Sequence, residues 1–116
     1  MMKPENTFPD AIKRQPRAAS SASDNLSGWV ADMNKSQVVF WEVAKGFEVE
    51  PHVHAHDEYG VVLSGYCEVI INGVTSRYSA GDEFYIPGNV SHAAVMSDNY
   101  RALDFFESPD WIKIIK

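Results

Sequence analysis

Between His52 and Glu58 the chain places three of its four histidines, His52, His54 and His56, beside two acids, Asp57 and Glu58. Residues two apart in an extended strand point to the same face, so His52 and His54 can aim their imidazoles into one space. Pro51 cannot donate to a strand ladder and marks an edge or an end, where side chains can reach a cavity. Glu58 follows a tight connection through Ala55, His56 and Asp57 and opens the next extended segment. The fourth histidine, His92, stands behind a separate run, GDEFYIPGNVSH. Brought together, His52, His54, Glu58 and His92 would offer three neutral imidazoles and one carboxylate. Such a mixed set suits one divalent transition metal ion, with Zn, Ni, Mn and Fe all within its range. Four protein ligands on an octahedral ion leave two positions for water, substrate or dioxygen, and the ion can polarise an oxygen or lower the pKa of bound water.

Strands must hold these residues. From Trp29 onward, short runs rich in Val, Ile, Phe, Tyr and Trp alternate with Gly, Pro, Asn and Asp, and no helical period is sustained. The pattern predicts strands over residues 37–43, 47–50, 59–63, 68–71, 74–78, 84–86, 93–96 and 101–106. Asn72-Gly73 predicts a two-residue hairpin, because both residues tolerate the positive φ of a type I′ turn. Eight short strands with regular turns make an all-β sandwich or barrel.

Residues 1–27 are read as an N-terminal arm and 28–116 as the barrel domain. The arm would be a strap over the barrel or a partner subunit, or else a frayed linker. Within it, residues 9–15 suit one or two helical turns, since Pro9 fits a first helical position and Asp10 complements the dipole. The serine-rich residues 18–24 suit a mobile connector. The tail after Ser108 fits either a last helical turn or an extended segment docking Trp111, Ile112, Ile114 and Ile115.

The 116 residues suffice for one domain with a core. A formal charge of −6 argues against nucleic acid and anionic membranes as partners, leaving a small molecule or another protein. No apolar run approaches the ~18 residues of a membrane span. A lone cysteine, Cys67, and the lack of a secretion signal point to a cytoplasmic protein.

Two motifs in the chain resemble those of the small single-domain cupins. Their first motif, G-x5-H-x-H-x3,4-E-x6-G, falls on Gly46, His52, His54, Glu58 and Gly65 with every spacing met. Their second, G-x5-P-x-G-x2-H-x3-N, falls on Gly81, Pro87 and His92, with Asn89 and Met96 replacing its second glycine and its asparagine. The resemblance implies a double-stranded β-helix, the jelly-roll barrel, holding a metal on His52, His54, Glu58 and His92. The histidine run is also similar to that of cupins that open unsaturated uronate rings. Asp104 and Phe106 match two residues of their last strand, but the arginine that would bind the uronate carboxylate has no counterpart here.

Asp104 is the candidate general acid or base, with an edge charge facing water as the alternative. His56 is read as a loop residue or a support for the ligands, and Cys67 as a small hydrophobe. These features predict a metal-dependent enzyme performing isomerisation, ring opening or oxygenation of a small oxygen-rich substrate. The alternative is a metal-containing binding or sensing module without turnover. A homodimer is expected, since pairing would cover strand edges and the apolar faces of outer strands.

Overall fold

A computed structural model describes residues 7–19 and 25–115. The expected connector lies largely outside them, at 20–24. After a single helical turn, α1 (Asp10–Lys13), come nine strands: β1 (Leu26–Asp32), β2 (Gln37–Val43), β3 (Phe47–His52), β4 (Glu58–Ser64), β5 (Tyr66–Ile71), β6 (Val74–Ser79), β7 (Glu83–Ile86), β8 (His92–Met96) and β9 (Tyr100–Phe106). They form two antiparallel sheets, ordered β1-β2-β9-β4-β7 and β3-β8-β5-β6, which face each other as a jelly-roll barrel. The fold is all-β, as the sequence predicts.

Alternation along β2, β4 and β9 decides what enters the barrel. Gln37, Val39 and Val43 of β2, Glu58 and Val62 of β4, and Tyr100, Ala102, Asp104 and Phe106 of β9 are all buried. Two of these positions carry carboxyls, Glu58 and Asp104, which are costly to bury unpaired. At the β5–β6 hairpin, Asn72 and Gly73 have φ of 52° and 77°, the geometry expected of that pair.

The strand β1 has no counterpart among the sequence expectations. Its LSGWVAD stretch contains Ser27 and Gly28, both poor strand formers, and it is held by continuous pairing with β2 from Leu26↔Val43 to Asp32↔Gln37. Gly28 is required there: a Cβ would lie 2.4 Å from the Trp41 ring.

The arm lies across the outer face of β2 and β9. Glu42 accepts from the Phe8 amide at 2.6 Å, Arg101 donates to the Thr7 carbonyl at 2.8 Å, and the Phe8 ring meets Phe40 edge-on. The C-terminal segment docks in extended form. Buried Gln37 accepts from the Ile112 amide at 2.8 Å and donates to the Ile112 carbonyl at 2.9 Å, as a neighbouring strand would. A bridge between Ala18 and Ile114 then ties arm and tail together.

Candidate metal centre

His52 ends β3, His92 begins β8, and the two are paired across the ladder after an irregularity in register. His54 follows in the loop and Glu58 opens β4. One ring nitrogen from each of His52, His54 and His92 lies within 4.8 Å of the other two. Glu58 joins them, with Oε1 3.3 Å from His54 Nε2 and 3.7 Å from His92 Nε2.

Each imidazole is oriented by its far side. The Nδ1 atoms of His52, His54 and His92 lie 2.9, 2.8 and 2.9 Å from the carbonyls of Glu50, His56 and Val90. A carbonyl only accepts, so each Nδ1 carries a proton, which makes Nε2 the ligating atom of the neutral ring; here His54 Nε2 hydrogen-bonds Glu58 Oε1 at 3.3 Å. That tautomer is the one a metal needs, and carbonyl support of this kind is usual behind ligating histidines. His92 Nε2 is buried and makes no hydrogen bond among the described residues. Three inward lone pairs and a carboxylate fit a divalent transition metal.

Electrostatics divide the set. Contact with Glu58 raises the pKa of His54 against the effect of burial, which acts the other way. Burial lowers that of His92.

The two motif loops are stapled together. The Gly88 amide donates to Asp57 at 2.8 Å, the Asn89 amide to the His54 carbonyl at 2.7 Å, and the Tyr85 hydroxyl to Asp57 at 2.7 Å. The Gly88 and Tyr85 bonds hold Asp57 below its ordinary pKa. Gly88 has no room for a side chain, since a Cβ would sit 2.3 Å from the Ala55 carbonyl oxygen. Asn89 takes a φ of 65°, the left-handed conformation that asparagine tolerates best after glycine.

His56 stands beside the cluster. Its ring stacks on His54 at 4.2 Å between centroids, nearly parallel, and its own carbonyl orients His54. Trp111, delivered by the Gln37–Ile112 clamp, lies 5.0 Å from the His54 ring and 5.1 Å from His56. Sequence alone identified the tail as apolar; the contact between Trp111 and the histidines is long-range and leaves no local signal.

Behind the histidines a cavity of about 590 Å³ runs into the barrel. Asp104 projects into it, only 9% exposed, with Oδ1 making no hydrogen bond among the described residues. Burial, and then the charge and contact of Glu58, push its carboxyl well above the usual range, opposed by the Trp41 side chain. Gly60 makes the space: a Cβ there would fall 2.1 Å from the Phe84 ring and 2.7 Å from Asp104 Oδ1. Tyr100 and Cys67 are both buried in the apolar cluster that lines the cavity, and burial raises the Cys67 thiol to about 11.

The model for the cupin domain matches residues 39–105. KdgF from Halomonas sp. is 30% identical with a TM-score of 0.67, over 76% of this chain and 82% of that one. An RmlC-like cupin from Shewanella frigidimarina is 25% identical with a TM-score of 0.72, over 94% of both chains. Among curated proteins, the dimethylsulfoniopropionate lyase DddW of Ruegeria pomeroyi is 37% identical over 54 residues, 47% of this chain. The match spans 36% of that relative's length.

Proposed function

The chain belongs to the cupin domain family, and on that premise we propose that it is a metal-dependent enzyme acting on a small oxygen-containing substrate. His52, His54, Glu58 and His92 would hold one divalent transition ion. The observation that carries this reading is the common orientation of the three imidazoles: each Nδ1 is spent on a backbone carbonyl, which makes Nε2 the atom to ligate, and Glu58 Oε1 stands 3.3 and 3.7 Å from two of those Nε2 atoms. When bound, the ion would supply Lewis acidity to a coordinated oxygen.

The chain's own residues do the rest. Asp104, buried beside Glu58 with its carboxyl raised well above the usual range, would exchange a proton with a ligand in the cavity. Trp111 shields the histidines from bulk water at the mouth. Similarity to a lyase supports isomerisation or elimination, reactions in which such a proton moves. The acids lining the cavity and the small-molecule chemistry of related cupins support a small ligand as its occupant. On the outer face of the five-stranded sheet, Tyr59, Leu63 and Phe105 are exposed. They form the surface through which a homodimer would pair.

Metal analysis of tag-free protein and of His54→Ala tests the centre. The wild type should carry close to one ion per chain and the variant should lose it, with affinity reduced more than ~100-fold. Full metal content in the variant would refute the ligand set. With a turned-over substrate from a panel of hydroxy and oxo acids, Asp104→Asn should lower kcat ~100-fold or more while metal content stays unchanged. Unchanged kcat would remove Asp104 from the mechanism.

A further inference from the structure

The walls of the cavity restrict what can enter it beyond the metal. Much of its wall is apolar, with Leu26, Val43, Phe47, Val69, Phe84 and Met96 packed together in one cluster. The Tyr100 hydroxyl and the Cys67 thiol, polar groups set within that cluster, interact with each other. No lysine or arginine among the described residues lines the cavity. Each has a place elsewhere. Lys13 reaches Glu42, Arg77 pairs with Glu68 at 3.0 Å, Arg17 lies over Trp29, Arg101 serves the Thr7 carbonyl, and Lys113 is near Asp110. Arg14, Lys35 and Lys45 are exposed. A ligand carrying a second carboxylate or phosphate would therefore meet Glu58 and Asp104 with no cation to receive it.

We infer that the site takes a ligand with one oxygen-chelating head and an uncharged apolar body, the head at the histidines and the body in the pocket between Val69 and Phe84. This rests on the metal centre proposed above. It separates the chain from binders of sugar acids, whose bodies are polar throughout. An apolar body gains from burial in proportion to its area, roughly 3-fold in affinity per methylene, whereas a hydroxylated one would leave unpaired groups against aliphatic walls.

Alkyl hydroxamates serve as probes, because the head is constant and chelates divalent ions through two oxygens. On metal-loaded protein, calorimetry should show affinity rising ~3-fold per methylene from acetohydroxamate to hexanohydroxamate. A flat or falling series overturns the inference. A neutral tert-butyl-tailed hydroxamate should bind at least ~10-fold tighter than its trimethylammonium isostere; equal or reversed affinities would show a cation site instead. Val69→Phe should abolish the gain with chain length, with metal content as in the wild type. If that variant misfolds, Ala94→Leu fills the same cavity from β8. Metal content is measured first. A chain that takes up no ion sinks the metal-centre reading, while a loaded chain indifferent to tail length sinks this inference alone.

Discussion

The two ends of the cavity solve opposite problems. At the histidine end the three rings are fastened from behind: their Nδ1 atoms are bonded to carbonyls, and Asp57 ties the loops together. Elsewhere the wall is largely apolar, with Leu26, Val43, Val69 and Phe84 around the interacting Tyr100 and Cys67. Among the described residues four buried polar atoms lack a partner, and two of them, His92 Nε2 and Asp104 Oδ1, belong to residues lining the cavity. Since native interiors rarely leave such atoms unpaired, the boundary these two mark is where a ligand's polar head belongs.

The sharpest way to break this division is to fill the boundary. A Cβ at Gly60 would collide with both Phe84 and Asp104. Gly60→Ala should cost about 3 kcal/mol by overpacking, read as a lower midpoint in urea. It should also weaken ligand binding more than metal binding, since the collision lies beside Asp104 and not among the imidazoles. A variant of wild-type stability would show that Phe84 can move aside, and that the boundary is soft.

A smaller effect is expected from opening the histidine end. Gln37→Leu removes both bonds to Ile112, the contacts that hold Trp111 over the rings. The loss should be about 1–2 kcal/mol. It should be accompanied by faster amide exchange at Ile112 and Lys113, while the metal content is retained. Loss of metal on this change would make the tail part of the centre itself.

The apolar wall can be probed by pH. Burial raises the Cys67 thiol from its ordinary value near 9 to about 11, so the folded state keeps a proton that the unfolded state gives up first. Stability from this group is therefore intact below pH 9 and is lost as pH climbs toward 11, by ~1 kcal/mol at pH 10. The Tyr100 hydroxyl, also raised by burial, acts in the same direction. Cys67→Ala should flatten the part of the profile that begins near pH 9. An unaltered profile would mean that the thiol is wetter than its packing suggests.

How legible these ends were in the sequence differs as much as their chemistry. The histidine end is written in local spacing. His52 and His54 alternate at one strand end, Glu58 opens the next strand, and turn residues precede His92, so two short windows find all four. Eight strands were equally legible, because alternation and turn chemistry are local. By contrast, β1 depends on its partner β2, and a run containing Ser27 and Gly28 has little strand propensity of its own. Whether Asp104 faces the barrel or the solvent was open, since β9 is apolar on both faces and period alone could not choose. The Tyr100–Cys67 pair, the Gln37 clamp and the place of Trp111 all join residues distant in the chain, so only the assembled barrel reveals them.

The least effect is expected where the chain departs from the family pattern yet keeps its geometry. Asn89 stands at the position of the second motif's glycine and takes φ 65°, while its amide fastens the loop to the His54 carbonyl. Asparagine pays a small steric cost there that glycine avoids, but glycine adds freedom to the unfolded chain, and the two terms oppose each other. Asn89→Gly should therefore change stability by less than ~0.5 kcal/mol. Asn89→Val, with a branched Cβ in a left-handed conformation, should cost about 1–2 kcal/mol. It should also loosen metal binding, because the strained loop would draw its amide away from the carbonyl beside His54. Thermal melts with and without metal separate the two terms. If Asn89→Val lowers stability equally in both states, the loop supports the fold but does not tune the histidine end.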